Sequence, residues 1–366
     1  MGCLWYIRSY MATRKKNSGS KKSNSSSKRK ILLGVIISVA ILLLVGSVLA
    51  WYIVFRSNVH IKRDKQFIYI KTGSTFEDVT TQIEHILDAP KTFIWVADWM
   101  NYTQKVKAGR YTIANGMSNR ELISLLRSGK QEAVKVTIQT YNYKEDLAHA
   151  ICKNLEADSI EFVQLMNDSA EMANYQITPM QALAIAIPNT YYFNWNTPAD
   201  SVYKRLVKEY IKFWDDSRIA KAKARALSRI EVITLASIVA KETNKTDEMP
   251  EIACVYLNRL AKGMKLEADP TVKYAVGDMT LRRILYEHLE TESPYNTYLI
   301  KGLPPGPICN PSIAAIDAVL NPAQSEFIYF CAKEDFSGHH NFACTLTEHN
   351  RNAAKFHKAM NARGIH

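Results

Sequence analysis

The stretch TLASIVAKETNKTDEMPEIACVYLNRL, Thr234 to Leu260, carries the residue around which the rest of the chain is arranged. Its apolar Leu235, Ile238 and Val239 fall three and four apart, the spacing of one helical face, and Glu242 occupies the next turn of that face. A Ser-x-x-Glu capping box, Ser228 to Glu231, predicts where the helix begins. A carboxylate on a buried face loses hydration, and one near a helix C-terminus faces the negative end of the macrodipole. Both effects raise its pKa toward that of a general acid working near neutrality. The competing reading is a helix-end glutamate turned outward beside Lys241 and Lys245. The stripe alone leaves both readings standing.

Outward from this helix the pattern is mixed α+β. FIYIKTGSTFEDVTTQIEHIL and GRYTIANGMSNRELISLLRSGK form a weak repeat of strand, turn and helix. Ser74–Glu77 and Ser118–Glu121 are the predicted capping boxes, and Gly129 the end of the second helix. The segment around Lys91–Tyr102 reads as a helix between the two copies. VKVTIQT alternates like a half-buried strand, a helix starts near Lys144, and IPNTYYFNWNT reads as loop. Amphipathic helices then run to about Ala226. Beyond Glu242 the chain crowds Pro, Asn, Tyr and His between short elements, the composition of a site built on loops.

A net charge of +12 on 366 residues invites a nucleic-acid reading, which the distribution disfavours. Nine Lys or Arg and no acid lie in residues 1–55, leaving 38 basic against 35 acidic residues afterwards. Directly after the basic tail comes ILLGVIISVAILLLVGSVLAWYIVF, Ile31 to Phe55, 25 residues without a charge. This exceeds both the length needed to cross a bilayer, about 20 residues, and the apolar part of a cleaved signal peptide, about 7–15 residues. A retained single-pass anchor is expected, with residues 1–30 cytoplasmic and 56–366 outside, and Trp51 and Tyr52 at the outer interface. Met11 opens MATRKKN, which reads like a natural start. Of six cysteines, Cys331 and Cys344 flank an apparent hairpin and are close enough in sequence to pair in an oxidising compartment, or to remain as isolated thiols.

LASIVAKET, LEADPTVKYAVGD, ESPYNTYLIKGLPPGPICNPS and GHHNFACTLTEHN, in that order, resemble the YceG-like (MltG) family of endolytic murein transglycosylases. KAGRYTI…MSNRELISLLRSGK resembles the family's LysM-like subdomain, and IPNTYYF its P-D-T-Y-x-F element. The likeness runs from Ile31 almost to the C-terminus. It implies a basic tail (1–30), a transmembrane helix (31–55), a LysM-like subdomain (56–133), a connecting α/β region (134–227) and a catalytic domain (228–366). It further implies cleavage of peptidoglycan glycan strands between N-acetylmuramic acid and N-acetylglucosamine, at the cytoplasmic membrane, with synthases or division proteins as neighbours and no cofactor. Glu242 matches the family's catalytic glutamate. Asp269, Tyr295, Asn296, Thr297, Tyr298, Pro304, Pro305, Asn310, His340 and Phe342 fall in the matching cleft motifs and are expected to bind substrate.

One acid suffices in such a reaction because the muramic acid's own C6 hydroxyl is the nucleophile, already tethered to the anomeric carbon it attacks. The glutamate first protonates the leaving oxygen and then removes the C6 proton, giving a 1,6-anhydro sugar. Two departures bear on this. Glu267 stands where the family has Gln, a second carboxylate that would open a hydrolytic route if it or Asp269 faced the bond across room for water. Asn189 stands where the family has Asp. A glycan hydrolase and a non-catalytic wall-binding or division scaffold therefore remain alternatives. The spacing of His339, His340 and His349 fits no standard zinc pattern, and no metal is expected.

Overall fold

The computed structural model describes residues 25–363. The start at Met1 or Met11, Cys3 and most of the basic tail lie outside the described residues. The charge-free run forms most of helix α1 (Ser25–Phe55), whose side chains from Lys28 onward stay exposed until its final turns. An apolar surface that nothing among the described residues covers is compatible with a helix that lies in lipid.

Beyond α1 come β1 (Lys65–Ile70), α2 (Phe76–Ile83), α3 (Pro90–Trp99), β2 (Gly109–Ala114) and α4 (Asn119–Ser128). The two strands of the sequence repeat pair with each other, antiparallel, with Tyr69 opposite Arg110. Val79, Ile83, Phe93, Tyr111, Leu122 and Leu126 close a first core, which also takes in Val54 from the end of α1. The cap of α4 is Ser118 with Glu121, and Gly129 ends it at φ +72°, as the sequence predicts. The cap of α2 is one residue later than predicted. Thr75 and Asp78 form the reciprocal box, because S-T-F-E-D offers two overlapping candidates and the second is realised.

The remainder is organised around a second core. In order it holds β3 (Val134–Thr137), α5 (Lys144–Cys152), α6 (Ser159–Asn167), α7 (Ser169–Ala173), a 3-10 turn (Pro179–Ile185) and β4 (Thr190–Phe193). Then follow α8 (Ala199–Phe213), α9 (Asp216–Ala224), α10 (Arg229–Glu242), α11 (Met249–Ala261), α12 (Asp269–Val276), α13 (Tyr286–Leu289) and α14 (Ile313–Leu320). A hairpin, β5 (Tyr329–Ala332) and β6 (His340–Ala343), and α15 (Leu346–Ala362) complete the chain. One hydrophobic cluster runs from Val134 to Leu320, with Phe330 and Phe342 packed against it, so residues on both sides of 227/228 share one core. IPNTYYF is not the loop expected of it. Its Thr190–Phe193 pairs with β3, a contact too distant in sequence for local patterning to reveal.

The α10 helix is the centre of this second core. Every residue from Val232 to Val239 is buried, so the helix has no solvent face at all over two turns. The stripe Leu235–Ile238–Val239 is real but is part of an all-round apolar surface, packed on α11, α12 and α14. Glu242 is its last helical residue.

Candidate active site

Since α10 is enclosed on every side, the first polar group at its end emerges from the core into whatever opening the neighbouring elements leave. Glu242 emerges half-buried into a pocket of about 280 Å³. The chain reverses through Thr243–Glu248 and returns as α11, which places Tyr256 opposite it. The buried Tyr256 hydroxyl donates to Glu242 Oε1 at 2.6 Å. This bond fixes one carboxyl oxygen and leaves Oε2 for the proton.

Loss of hydration pushes Glu242 up to about 7, and the neighbouring Asp269 charge adds to the rise; the Tyr256 hydrogen bond and Lys273 pull the other way. Desolvation wins because α10 ends inside the protein rather than at its surface. A carboxyl group with that pKa is about half protonated at neutral pH, which suits a group that must give a proton and later take one.

The opposite wall comes from Leu266 to Asp269 and from the YNTY loop. The Asp269 carboxylate accepts from the Tyr298 hydroxyl at 2.8 Å. Glu267 pairs with Arg259 Nη1 at 3.1 Å and has φ +50°, a left-handed conformation unusual for glutamate. Arg259 itself is buried and gives Nε to the Ile328 carbonyl at 2.7 Å and Nη1 to that of Leu266 at 2.9 Å. It thereby ties the β5 hairpin to this wall. Phe330 of β5 and His349 of α15 close the remaining side. Burial and the Arg259 charge lower the His349 pKa, which favours its neutral form.

Of the residues singled out from sequence, Glu242, Glu267, Asp269 and Tyr298 line this one pocket. The others lie around it. Asn296 is buried and donates its amide to the carbonyls of Leu289 and Thr291, each at 2.9 Å. Thr297 is buried against Thr271 at 2.8 Å and accepts from the Ala268 amide. Tyr295 packs its ring at a tilt against Tyr274 and donates to the Met180 carbonyl, in a neighbouring cleft. Asn310 is buried and spans three segments, through Gln139 O, Ala186 O and Tyr141 N. Pro304 is buried and Pro305 half-buried, the latter's carbonyl accepting from Gln181. His340 is bound to the buried Glu248, through its ring Nδ1 at 2.8 Å and its backbone N–H at 2.6 Å, and sets its edge on Phe330. Phe342 stacks on Phe327. Cys331 and Cys344 flank the expected hairpin, and both are free thiols.

Tyr256, Arg259, Phe330 and His349 were not legible as site residues. Tyr256 and Arg259 sit inside the stretch that announces Glu242, yet a tyrosine among buried aliphatics on a helix is ordinary core composition. Removing the Tyr256 hydroxyl by Tyr256→Phe deletes the bond that lowers Glu242. The Glu242 pKa is expected to rise by about one unit, the worth of a hydrogen bond to a charged group. The alkaline limb of a pH–rate profile should move up by the same amount, while kcat falls about tenfold. An unmoved limb would remove Tyr256 from control of the acid.

Residues 68–355 match the family model described as the YceG-like family. A protein of Bacillus subtilis (strain 168) named endolytic murein transglycosylase is 28% identical over 314 residues, covering 80% of this chain and 85% of that protein. One of the same name from Streptococcus pneumoniae serotype 2 is 29% identical over 322 residues, 78% of this chain and 57% of that protein, so the chain spans little more than half of this second relative. A crystallised yceG-like protein from Listeria monocytogenes overlays with a TM-score of 0.53 at 29% identity, covering 79% of this chain and 98% of that one.

Proposed function

Because this chain belongs to the YceG-like family, we propose that it is a peptidoglycan lytic transglycosylase in which Glu242 is the only proton carrier. The observation that carries the reading is a half-buried carboxyl, held by Tyr256 and raised to about 7, at the wall of a polar pocket. Protonated Glu242 gives its proton to the glycosidic oxygen between N-acetylmuramic acid and N-acetylglucosamine. As carboxylate it then takes the proton of the C6 hydroxyl while that oxygen bonds to C1. No water enters, and the muramic end leaves as the 1,6-anhydro sugar.

Asp269, with Tyr298 donating to it, supplies a fixed negative charge on the facing wall for the oxocarbenium-like transition state. Tyr298 and Phe330 offer ring faces to the sugar. Asn296, Thr297, Pro304, Pro305, Asn310, His340 and Phe342 act through the shape of the loops that carry these groups. The module of residues 56–133 is read as LysM-like, adding glycan contacts. Helix α1 is read as a single-pass anchor in the cytoplasmic membrane, with the pocket on the outer side. Such tethering holds the enzyme beside newly made strands.

Glu267 and Asp269 on the same pocket keep a hydrolytic reading in play. Digestion of purified glycan strands in ¹⁸O-labelled water, followed by mass spectrometry, separates the two. Anhydro ends without label are expected; reducing ends carrying ¹⁸O would make the protein a hydrolase and put a second carboxylate in the mechanism.

A further inference from the structure

We infer that the groove where α1 meets the first module is a phospholipid site of the outer leaflet, so that this module rests on the bilayer instead of standing clear of it. The inference rests on reading α1 as a membrane span. The charge-free run of 25 residues is about 37 Å long as helix, against a hydrocarbon core of about 30 Å. The surplus, about 7 Å or five residues, puts Trp51 to Phe55 at the level of the headgroups.

This end of α1 is not on a tether. Val54 is buried in the first core. The Ile53 carbonyl accepts from the side-chain amide of Asn119 at 2.9 Å, and the buried Asn119 is itself held by Asn58 at 2.7 Å. A helix end welded in this way carries α3 and α4 at a fixed height beside it, and both helices pack on α1.

At that height lies a groove of about 480 Å³ lined by Trp51 and Phe55 of α1, Trp95 and Trp99 of α3, and Arg120 of α4. Trp95 and Trp99, one turn apart, are 50% and 65% exposed, while Phe93, Val96 and Ala97 on the other side of α3 are wholly buried. Water-exposed indoles on one helix face, level with the end of a span, match the preference of tryptophan for the membrane interface. The Arg120 guanidinium lies 5.1 Å from the Phe55 ring centre and has no hydrogen bond or ion pair among the described residues. An acyl chain fits between the Trp51–Phe55 and Trp95–Trp99 ring pairs, and a headgroup phosphate meets Arg120 at the rim.

The test uses the full chain in phosphatidylcholine vesicles doped with either phosphatidylglycerol or phosphatidylcholine brominated on the acyl chain. Wild type and Trp95→Ser/Trp99→Ser are compared. Cofloatation with vesicles checks the anchor separately, and failure to float sinks that reading. Given cofloatation, the emission lost with the tryptophan pair should be the strongly quenched part. Unquenched emission from Trp214, which is buried in the second core, reports an intact fold. The brominated anionic lipid should quench the wild type more strongly, and Arg120→Glu should cut that advantage roughly fivefold or more. Emission from Trp95 and Trp99 that lipid bromine leaves untouched overturns the site. Equal quenching by both lipids overturns the role of Arg120.

Discussion

Glu242→Gln is expected to abolish anhydro-product formation, by about a thousandfold or more, while making the protein harder to unfold above pH 7. The first effect follows from one residue serving both proton transfers, each of which is typically worth a hundredfold to ten-thousandfold. The amide keeps the shape of the pocket and still accepts from Tyr256, so only the proton is lost. The second effect follows from linkage. Folded Glu242 holds its proton to about 7, against 4.5 without the fold. Between those values the folded state binds more protons than the unfolded one. Stability is therefore full below about pH 4.5, falls as pH rises through 7, and is flat beyond. At pH 8 the penalty is on the order of 3 kcal/mol, and Gln removes it. Urea unfolding at pH 5 and pH 8 should show a gain for the variant at pH 8 only. A wall-binding scaffold would keep its biological role in this variant, and cleavage at the wild-type rate would end the assignment. A variant that is inactive but no more stable at pH 8 would mean that the carboxyl is solvated when folded.

That trade between stability and chemistry explains which parts of the molecule could be read in advance. Helix caps were legible where one box was available, as at Ser118 and Ser228, because the reciprocal hydrogen bonds are local. Where S-T-F-E-D offers two boxes, local chemistry is degenerate and the cap moved to Thr75. The pairing of IPNTYYF with VKVT depends on chain closure over some fifty residues, about which neither segment carries information. Glu242 was legible as an acid at the end of an apolar helix, although the stripe understated the matter. A helix buried all round desolvates its end more fully than an amphipathic one. The polar loops were the hardest case. A buried Asn that satisfies backbone carbonyls, as Asn296 and Asn310 do, has the same composition signature as one awaiting an N-acetyl group. Only the fold separates the two, and it leaves Glu267, Asp269, Tyr298 and His349 as the polar members of those downstream motifs that line the pocket.

The GLPPGPI motif shows how a rigid loop can act on the site through packing, and its second glycine, Gly306, has the closest backbone neighbour of any glycine among the described residues. A Cβ on Gly306 would lie 2.2 Å from the Met180 carbonyl oxygen and 2.8 Å from its carbon. Both atoms are backbone, in the 3-10 turn that buries Ala182, Leu183, Ala184 and Ile185. The same oxygen accepts from Tyr295, and Gln181 donates to the Pro305 carbonyl at 3.2 Å, so neither segment can yield without breaking the other's bonds. Two residues on, the Ile308 amide donates to Ser237 inside α10 at 3.0 Å. Strain at Gly306 thus reaches the helix that ends in Glu242. Gly306→Ala is expected to cost about 3 kcal/mol, near the upper end for overpacking, and to lower activity even where the protein remains folded. Gly302→Ala is the matched control. Gly302 has φ +84° but open space where a Cβ would go, so its cost is the left-handed conformation alone, about 1 kcal/mol. Chemical denaturation of both variants decides the matter: a loss at position 306 no larger than that at 302 would mean that the turn carrying Met180 gives way to the added methyl at little cost.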